Sequence, residues 1–149
     1  MLHLANLYHE SPYFPQTHQL KDCVNKFSEK TAKMKEFQES LENNIINYGL
    51  DVIGIGGIRV PNISMIHIPK VAHFVLNELS EKLGIHCSSG AACSSKLTTI
   101  NPTMSVLGIN GTVNDFIRVS SCGDYSSSDG KYIAEQIIKL TKYYQGKIK

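Results

Sequence analysis

Apolar residues recur at steps of three, four or seven from Leu20 through Val24, Phe27, Met34, Phe37 and Leu41 to Ile45, with lysines and glutamates filling the positions between them. Residues spaced in this way share one face of a helix. Thr17 is suited to cap its start, and Asn47 and Gly49 its end. The pattern then changes in "DVIGIGGIRVPNISMIHIP", where β-branched residues crowd between glycines and prolines. This predicts short strands near 51–55 and 63–68 with a turn around Pro61 and Asn62. Helical spacing returns through Val71, Val75, Leu79 and Leu83 and stops at Gly84. "IHCS" reads as a brief strand, residues 88–101 as a polar loop, and Pro102 opens one or two helical turns in "PTMSVLG". "DFIRVSS" reads as another strand. Ser127 or Ser128 then caps a final helix whose apolar face is Ile133, Ile137, Leu140 and Tyr144.

This order predicts an α+β fold, with helices packed on a small, mainly antiparallel sheet. Residues 1–16, with Pro12 and Pro15 and no sustained period, read as an irregular N-terminal arm, and residues 17–149 as a single domain without repeats or linkers. The glycines of "GIGG" lack the third partner of a dinucleotide fingerprint and no helix follows them, so they read as a turn or bulge.

Composition narrows the function class. A chain of 149 residues with 42% hydrophobic and 19% charged residues is ordinary for a soluble globular domain. A net charge of +2, with lysines scattered among glutamates, offers no basic block for nucleic acid or an anionic membrane. No apolar run approaches the ~18 residues that span a bilayer, and the first residues lack the pattern of a signal peptide. A reducing, cytoplasmic location is the resulting expectation, and there four cysteines are free, catalytic or metal-bound rather than paired.

Cys93 stands out among them. It lies in "HCSSGAACSS", whose small residues leave a thiol reachable, as a nucleophile must be; an idle loop cysteine fits the same composition. Cys87 at the end of a strand and Cys23 on the long helix suit a core, and Cys122 carries no sign of reactivity. Cys87, Cys93, Cys122 and His86 could be combined into a zinc site, but the paired spacing of a knuckle is missing and no metal is expected. His67 and His73 fall in strand and helix patterns and suggest no ligand set. Arg118 is one of only two arginines, the other being Arg59, and sits inside the apolar strand "FIRVS". Its planar fork matches a carboxylate bidentately, while an outward-facing residue or a structural ion pair fits equally.

These segments together resemble a known family. "SSGAAC", Ser88 to Cys93, is similar to the SSGSAC motif of cysteine desulfurases, pyridoxal-phosphate enzymes of aminotransferase class V, with Ala91 replacing the motif's third serine. "NPTMSVLGI" resembles the family's E-P-S-x-V-L-x-A-(L/M)-G segment. "FIRVSSCGDYSSSD" resembles I-R-F-S-x-G-R-(F/Y)-T-T-E-E, and "VPNISMIHIP" its P-N-(I/V)-(L/S) strand. The similarity runs from about residue 18 to about 143 and matches the C-terminal part of such enzymes. The fold implied is the C-terminal small domain of fold-type I pyridoxal-phosphate enzymes.

By this resemblance Cys93 matches the cysteine that takes sulfur from substrate cysteine as a persulfide, and Arg118 the arginine that binds the substrate carboxylate. "VSSCG" carries one residue more than the family spacing, and Asp124 stands where the family often has arginine. The cofactor lysine of the family lies in an S-x-H-K motif of a large N-terminal domain, and none of the thirteen lysines here has that setting. The resemblance therefore implies pyridoxal phosphate as the family cofactor with its binding residues absent from this chain, and a lone chain without desulfurase activity. Implied partners are L-cysteine, a pyridoxal-phosphate domain or a second copy, and an iron–sulfur scaffold or other sulfur acceptor. The alternative is a non-catalytic remnant or binding module that associates with a full-length desulfurase or scaffold protein.

Overall fold

The structure, a computed structural model, describes residues 26–89 and 102–148. Helix α1 (Phe27–Tyr48) leads into the two-residue strand β1 (Asp51–Val52) and then β2 (Ile63–His67). Helix α2 (Ala72–Leu83), the short α3 (Pro102–Val106), a 3-10 turn (Val113–Asp115), strand β3 (Phe116–Ser120) and helix α4 (Ser127–Lys147) follow. The sheet order is β1-β2-β3 and both pairings are antiparallel, with Val52 opposite Ile66 and Ile66 opposite Ile117. The α+β architecture read from the sequence is thus the observed one. Thr17, Leu20, Cys23 and Val24 lie outside the described residues, as do Cys93 and the arm at residues 1–16.

Side chains alternate across a strand, so this sheet has two unlike faces. Val52, Ser64, Ile66, Ile117 and Val119 are buried, and the core they join includes Phe37, Leu41 and Ile45 of α1, Val75 and Leu79 of α2, and Ala134 and Ile137 of α4. The opposite face carries Ile63, Met65, His67, Arg118 and Ser120, all exposed or partly exposed, and Phe116, which is buried. Both α1 and α2 end where a glycine takes up a left-handed conformation, Gly49 at φ 94° and Gly84 at φ 65°. The Gly49 N–H closes back on carbonyls of the last turn of α1.

Several details depart from the sequence reading. Phe27 is exposed rather than part of the apolar face, and burial on α1 begins at Phe37. The loop at Gly123 passes so close to the early turns of α1 that a Cβ there would stand 3.1 Å from Lys30. Strand β1 stops at Val52, because the turn that starts at Ile53 takes Gly54 and Gly56 to positive φ. "IHCS" forms no strand beyond a single bridge at Ser88. The cap of α4 is Ser126, ahead of the predicted Ser127 or Ser128: its hydroxyl accepts from the Asp129 N–H and the Asp129 carboxylate accepts the Ser126 N–H at 2.8 Å. Aspartate three residues on completes this reciprocal pair only for Ser126. The fully buried line of α4 is Gly130, Ala134, Ile137 and Thr141, with Ile133, Leu140 and Tyr144 packed at its flanks. Small residues take the centre because α1 passes closest there.

A charged clamp holds the long β1–β2 connection. Glu42 of α1 is buried and receives Arg59 bidentately, at 2.9 and 2.7 Å, and the Ser64 hydroxyl at 2.7 Å. Gln38 donates to the carbonyls of Val60 and Ile63. The carboxylate raises the Arg59 pKa further above its already high value through this hydrogen bond. Arg59→Ala leaves a buried carboxylate with one hydroxyl donor. It is expected to cost about 2–4 kcal/mol in denaturant unfolding, somewhat under the value for a fully buried pair because Arg59 keeps some solvent contact. Glu42→Gln, which releases Arg59 to water and keeps the Ser64 contact possible, is expected to cost less.

Candidate functional site

Strand β3 puts Arg118 at its centre, on the face of the sheet opposite the core formed with α1, α2 and α4. The alternation that buries Ile117 and Val119 sends Arg118 the other way, which explains a charge inside an apolar run. Arg118 is partly buried, its Nε is shielded from solvent, and among the described residues that N–H has no acceptor. Nor does its guanidinium form an ion pair with any described carboxylate. A buried donor left unsatisfied is costly, and an oxygen acceptor docking on this face removes that cost. Arg118 faces away from the core, as the outward-facing reading has it, and among the described residues its side chain pairs with no anion.

The main chain of Arg118 is also tied to the segment that precedes Cys93. Its N–H donates to the Ser88 carbonyl at 2.7 Å, and its carbonyl accepts the Ser88 N–H at 3.1 Å. Ser88 opens the "SSGAAC" segment; Cys93, five positions on, lies outside the described residues. The sequence reading did not assign Ser88 a role. Its only signal was its place between a core-type residue, Cys87, and the first glycine of the loop.

The described cysteines differ sharply. Cys87 packs against the core beside Ile85, and burial pushes its thiol up from 9.0 to about 11. Cys122 is exposed, with its S–H 3.5 Å from an Asp124 carboxylate oxygen that accepts it. His86 lies 3.1 Å from the Ser80 hydroxyl, and His67 stacks on Phe116 at 4.7 Å. His73 sits against its neighbour Phe74. Among the described residues no three His, Cys, Asp or Glu side chains gather into a metal-binding group. Alkylation of Cys87 is expected to be slow at neutral pH, with about one thiol in a thousand ionised at pH 8, and to rise toward a midpoint near 11, which pH-dependent mass labelling checks. Because the folded value is raised, this thiol favours the fold below pH 9 and ceases to do so as pH climbs through about 11.

Pyridoxal phosphate needs a lysine amine at its carbonyl carbon and donors around its phosphate. Every described lysine stands on a helix or beside a helix start, none on the face that carries Arg118. The described residues do not fit the cofactor, although Arg118 fits a carboxylate.

Comparison of the fold with solved structures gives two informative matches. One is a NifS-like protein, with a TM-score of 0.67 at 19% identity, covering 85% of this chain and 32% of that one. The chain has the fold of part of a NifS-like protein. A second NifS-like protein, from Rickettsia africae ESF-5, gives a TM-score of 0.61 at 22% identity, covering 79% of this chain and 31% of that one. The chain therefore spans about a third of the length of the NifS-like structures it matches. No family model and no curated protein sequence matches it. No described helix is long and apolar enough to cross a membrane.

Proposed function

We propose that this chain is the sulfur-carrying C-terminal part of a cysteine desulfurase. Cys93 receives the sulfur of L-cysteine as a persulfide and Arg118 holds the substrate carboxylate. The observation that carries this reading is Arg118 itself: a buried Nε–H without an acceptor among the described residues, on the face of the sheet opposite the core, joined through its backbone to the start of "SSGAAC". The NifS-like fold supports it, since NifS-like proteins belong to the cysteine desulfurase family. In the overall exchange the sulfur of cysteine passes to the thiol, one S–S bond replaces one C–S bond, and alanine balances the atoms. The electron sink for breaking a C–S bond belongs to pyridoxal phosphate, which this reading places on another polypeptide or domain. The acceptor that next takes the sulfur is an iron–sulfur scaffold or sulfur-relay protein, and a reducing cytoplasm keeps such a thiol available.

The test mixes the chain with a pyridoxal-phosphate domain of a NifS-like protein and L-cysteine. One cyanide-labile sulfur is expected, located by mass on the peptide that holds Cys93. Sulfur absent from the chain, or found on a different cysteine, overturns the assignment.

A second reading, a binding module without catalysis, draws on the β1–β2 connection. Ile55, Ile58 and Val60 are exposed there, yet the Arg59–Glu42 clamp fixes the loop that bears them. If this reading holds, the chain co-elutes with a NifS-like enzyme in size exclusion and acquires no persulfide sulfur.

A further inference from the structure

We propose that Ser88 is a positioning residue for Arg118, an inference that rests on the reading of Arg118 as the carboxylate-binding group. In an antiparallel pair, residues alternate between exchanging both main-chain hydrogen bonds and exchanging none. Arg118 and its β2 partner Met65 are a pair of the second kind. The Met65 carbonyl accepts from Ile53 on the β1 side, and the Arg118 N–H and C=O turn away from β2 toward Ser88. Both main-chain polar groups of Arg118 are thus satisfied by Ser88, at 2.7 and 3.1 Å. Strand β2 aligns Arg118 but does not bind its peptide groups; Ser88 does.

Ser88 is itself fixed from the core. Ile85 donates its N–H to the Leu79 carbonyl at the end of α2, and Ile85 and Cys87 pack against the core. His86, between them, turns outward beside Ser80. Two packed residues with an exposed one between them deliver Ser88 to the edge of β3 at a set height. The raised thiol pKa of Cys87 reflects the same burial. Cys87 therefore serves as an anchor, and the bridge it supports orients the strand segment from which the guanidinium projects. The same bridge ties the carboxylate-binding strand to the first residue of the segment that ends in Cys93, so occupancy of Arg118 and the order of Ser88 are linked, and linkage is reciprocal.

The experiment uses the full chain alone, with ¹⁵N NMR of the Arg118 Nε–H and the backbone amides, and with L-alanine as the α-amino carboxylate probe. Ser88→Pro removes the N–H given to the Arg118 carbonyl, and Ser88→Ala keeps both main-chain bonds. In Ser88→Pro, exchange of the Arg118 Nε–H and its titration midpoint with L-alanine are each expected to worsen about fivefold, the effect of one lost hydrogen bond, while the Ile66 and Ile117 amides stay protected. Ser88→Ala is expected to match the wild type in both. Ser88→Pro values equal to wild type overturn the proposal. Where Ser88→Pro loses protection at Ile66 and Ile117 as well, the wild type decides. L-Alanine must then slow Ser88 amide exchange with the same midpoint that it shows at the Arg118 Nε–H, and an unmoved Ser88 amide overturns the proposal. If L-alanine leaves the wild-type Arg118 Nε–H unmoved, the carboxylate-binding reading fails, and the positioning role fails with it unless Ser88→Pro alone still speeds Nε–H exchange.

Discussion

Cys93→Ser is expected to abolish persulfide formation on the chain, a loss of at least about a hundredfold in cyanide-labile sulfur, because a hydroxyl is a far weaker nucleophile toward sulfur and cannot carry a persulfide. The remaining thiols offer no ready substitute. Cys87 is packed against the core with its thiol raised to about 11, so its ionised form is scarce at working pH. Cys122 is exposed, but it lies outside the "SSGAAC" segment and its S–H is held by the Asp124 carboxylate. Cys122→Ser is accordingly expected to keep the wild-type sulfur yield. The measurement is mass analysis of the chain after incubation with a pyridoxal-phosphate domain and L-cysteine. A Cys93→Ser chain that still gains the sulfur removes the proposed role.

Gly130→Ala is expected to be the most damaging conservative change among the described residues. A Cβ at this position would stand 2.5 Å from the Phe37 carbonyl oxygen and 3.2 Å from the Leu41 nitrogen, both in the backbone of α1. No rotamer relieves a contact between a Cβ and backbone atoms, so the helices must separate along the line that buries Ala134 and Ile137. Alanine gains ~1 kcal/mol of helix propensity over glycine, while overpacking of this kind costs ~3 kcal/mol or more. The net loss is about 2 kcal/mol or more, a fall of roughly 4–8 °C in melting temperature for a domain of this size. Gly146 supplies the control within the same helix. Nothing lies within 4 Å of a Cβ built there, so Gly146→Ala retains only the propensity gain and is expected to be neutral or slightly stabilising. Equal melting temperatures for the two variants would contradict the close crossing.

Periodicity carried most of the fold. The steps through Phe37, Leu41 and Ile45, the stops at Gly49 and Gly84, and the runs that form β2 and β3 each have a local physical cause, and each lies where the sequence places it. Errors arose where a partner distant in sequence decides the outcome. Phe27 has helical spacing but is exposed, and among the described residues no apolar surface covers it. Gly130 and Ala134 lie at the centre of the α4 contact because of α1, which no pattern within α4 reveals. Arg59 was only the other arginine in the sequence, and its pairing with Glu42 spans 17 residues. For the site, Arg118 was marked by its odd setting in an apolar strand, which the alternation of β3 explains, and its Nε–H finds no acceptor among the described residues. Ser88 acts through main-chain groups that every residue type shares, so no side-chain motif could mark it.

The pairing of α1 with α4 also sets the order in which this chain can fold. Residues of α1 meet residues of α4 across most of the described chain; the Ser40 hydroxyl donates to the Ser127 carbonyl across 87 positions. Contacts so remote in sequence slow folding, since a long loop must close before they form. During synthesis α1 emerges long before its partner, and Phe37, Leu41 and Ile45 have no α4 to cover them until the last helix is made. The apolar stripe that completes the native core is therefore the surface most open to aggregation in a nascent or C-terminally shortened chain.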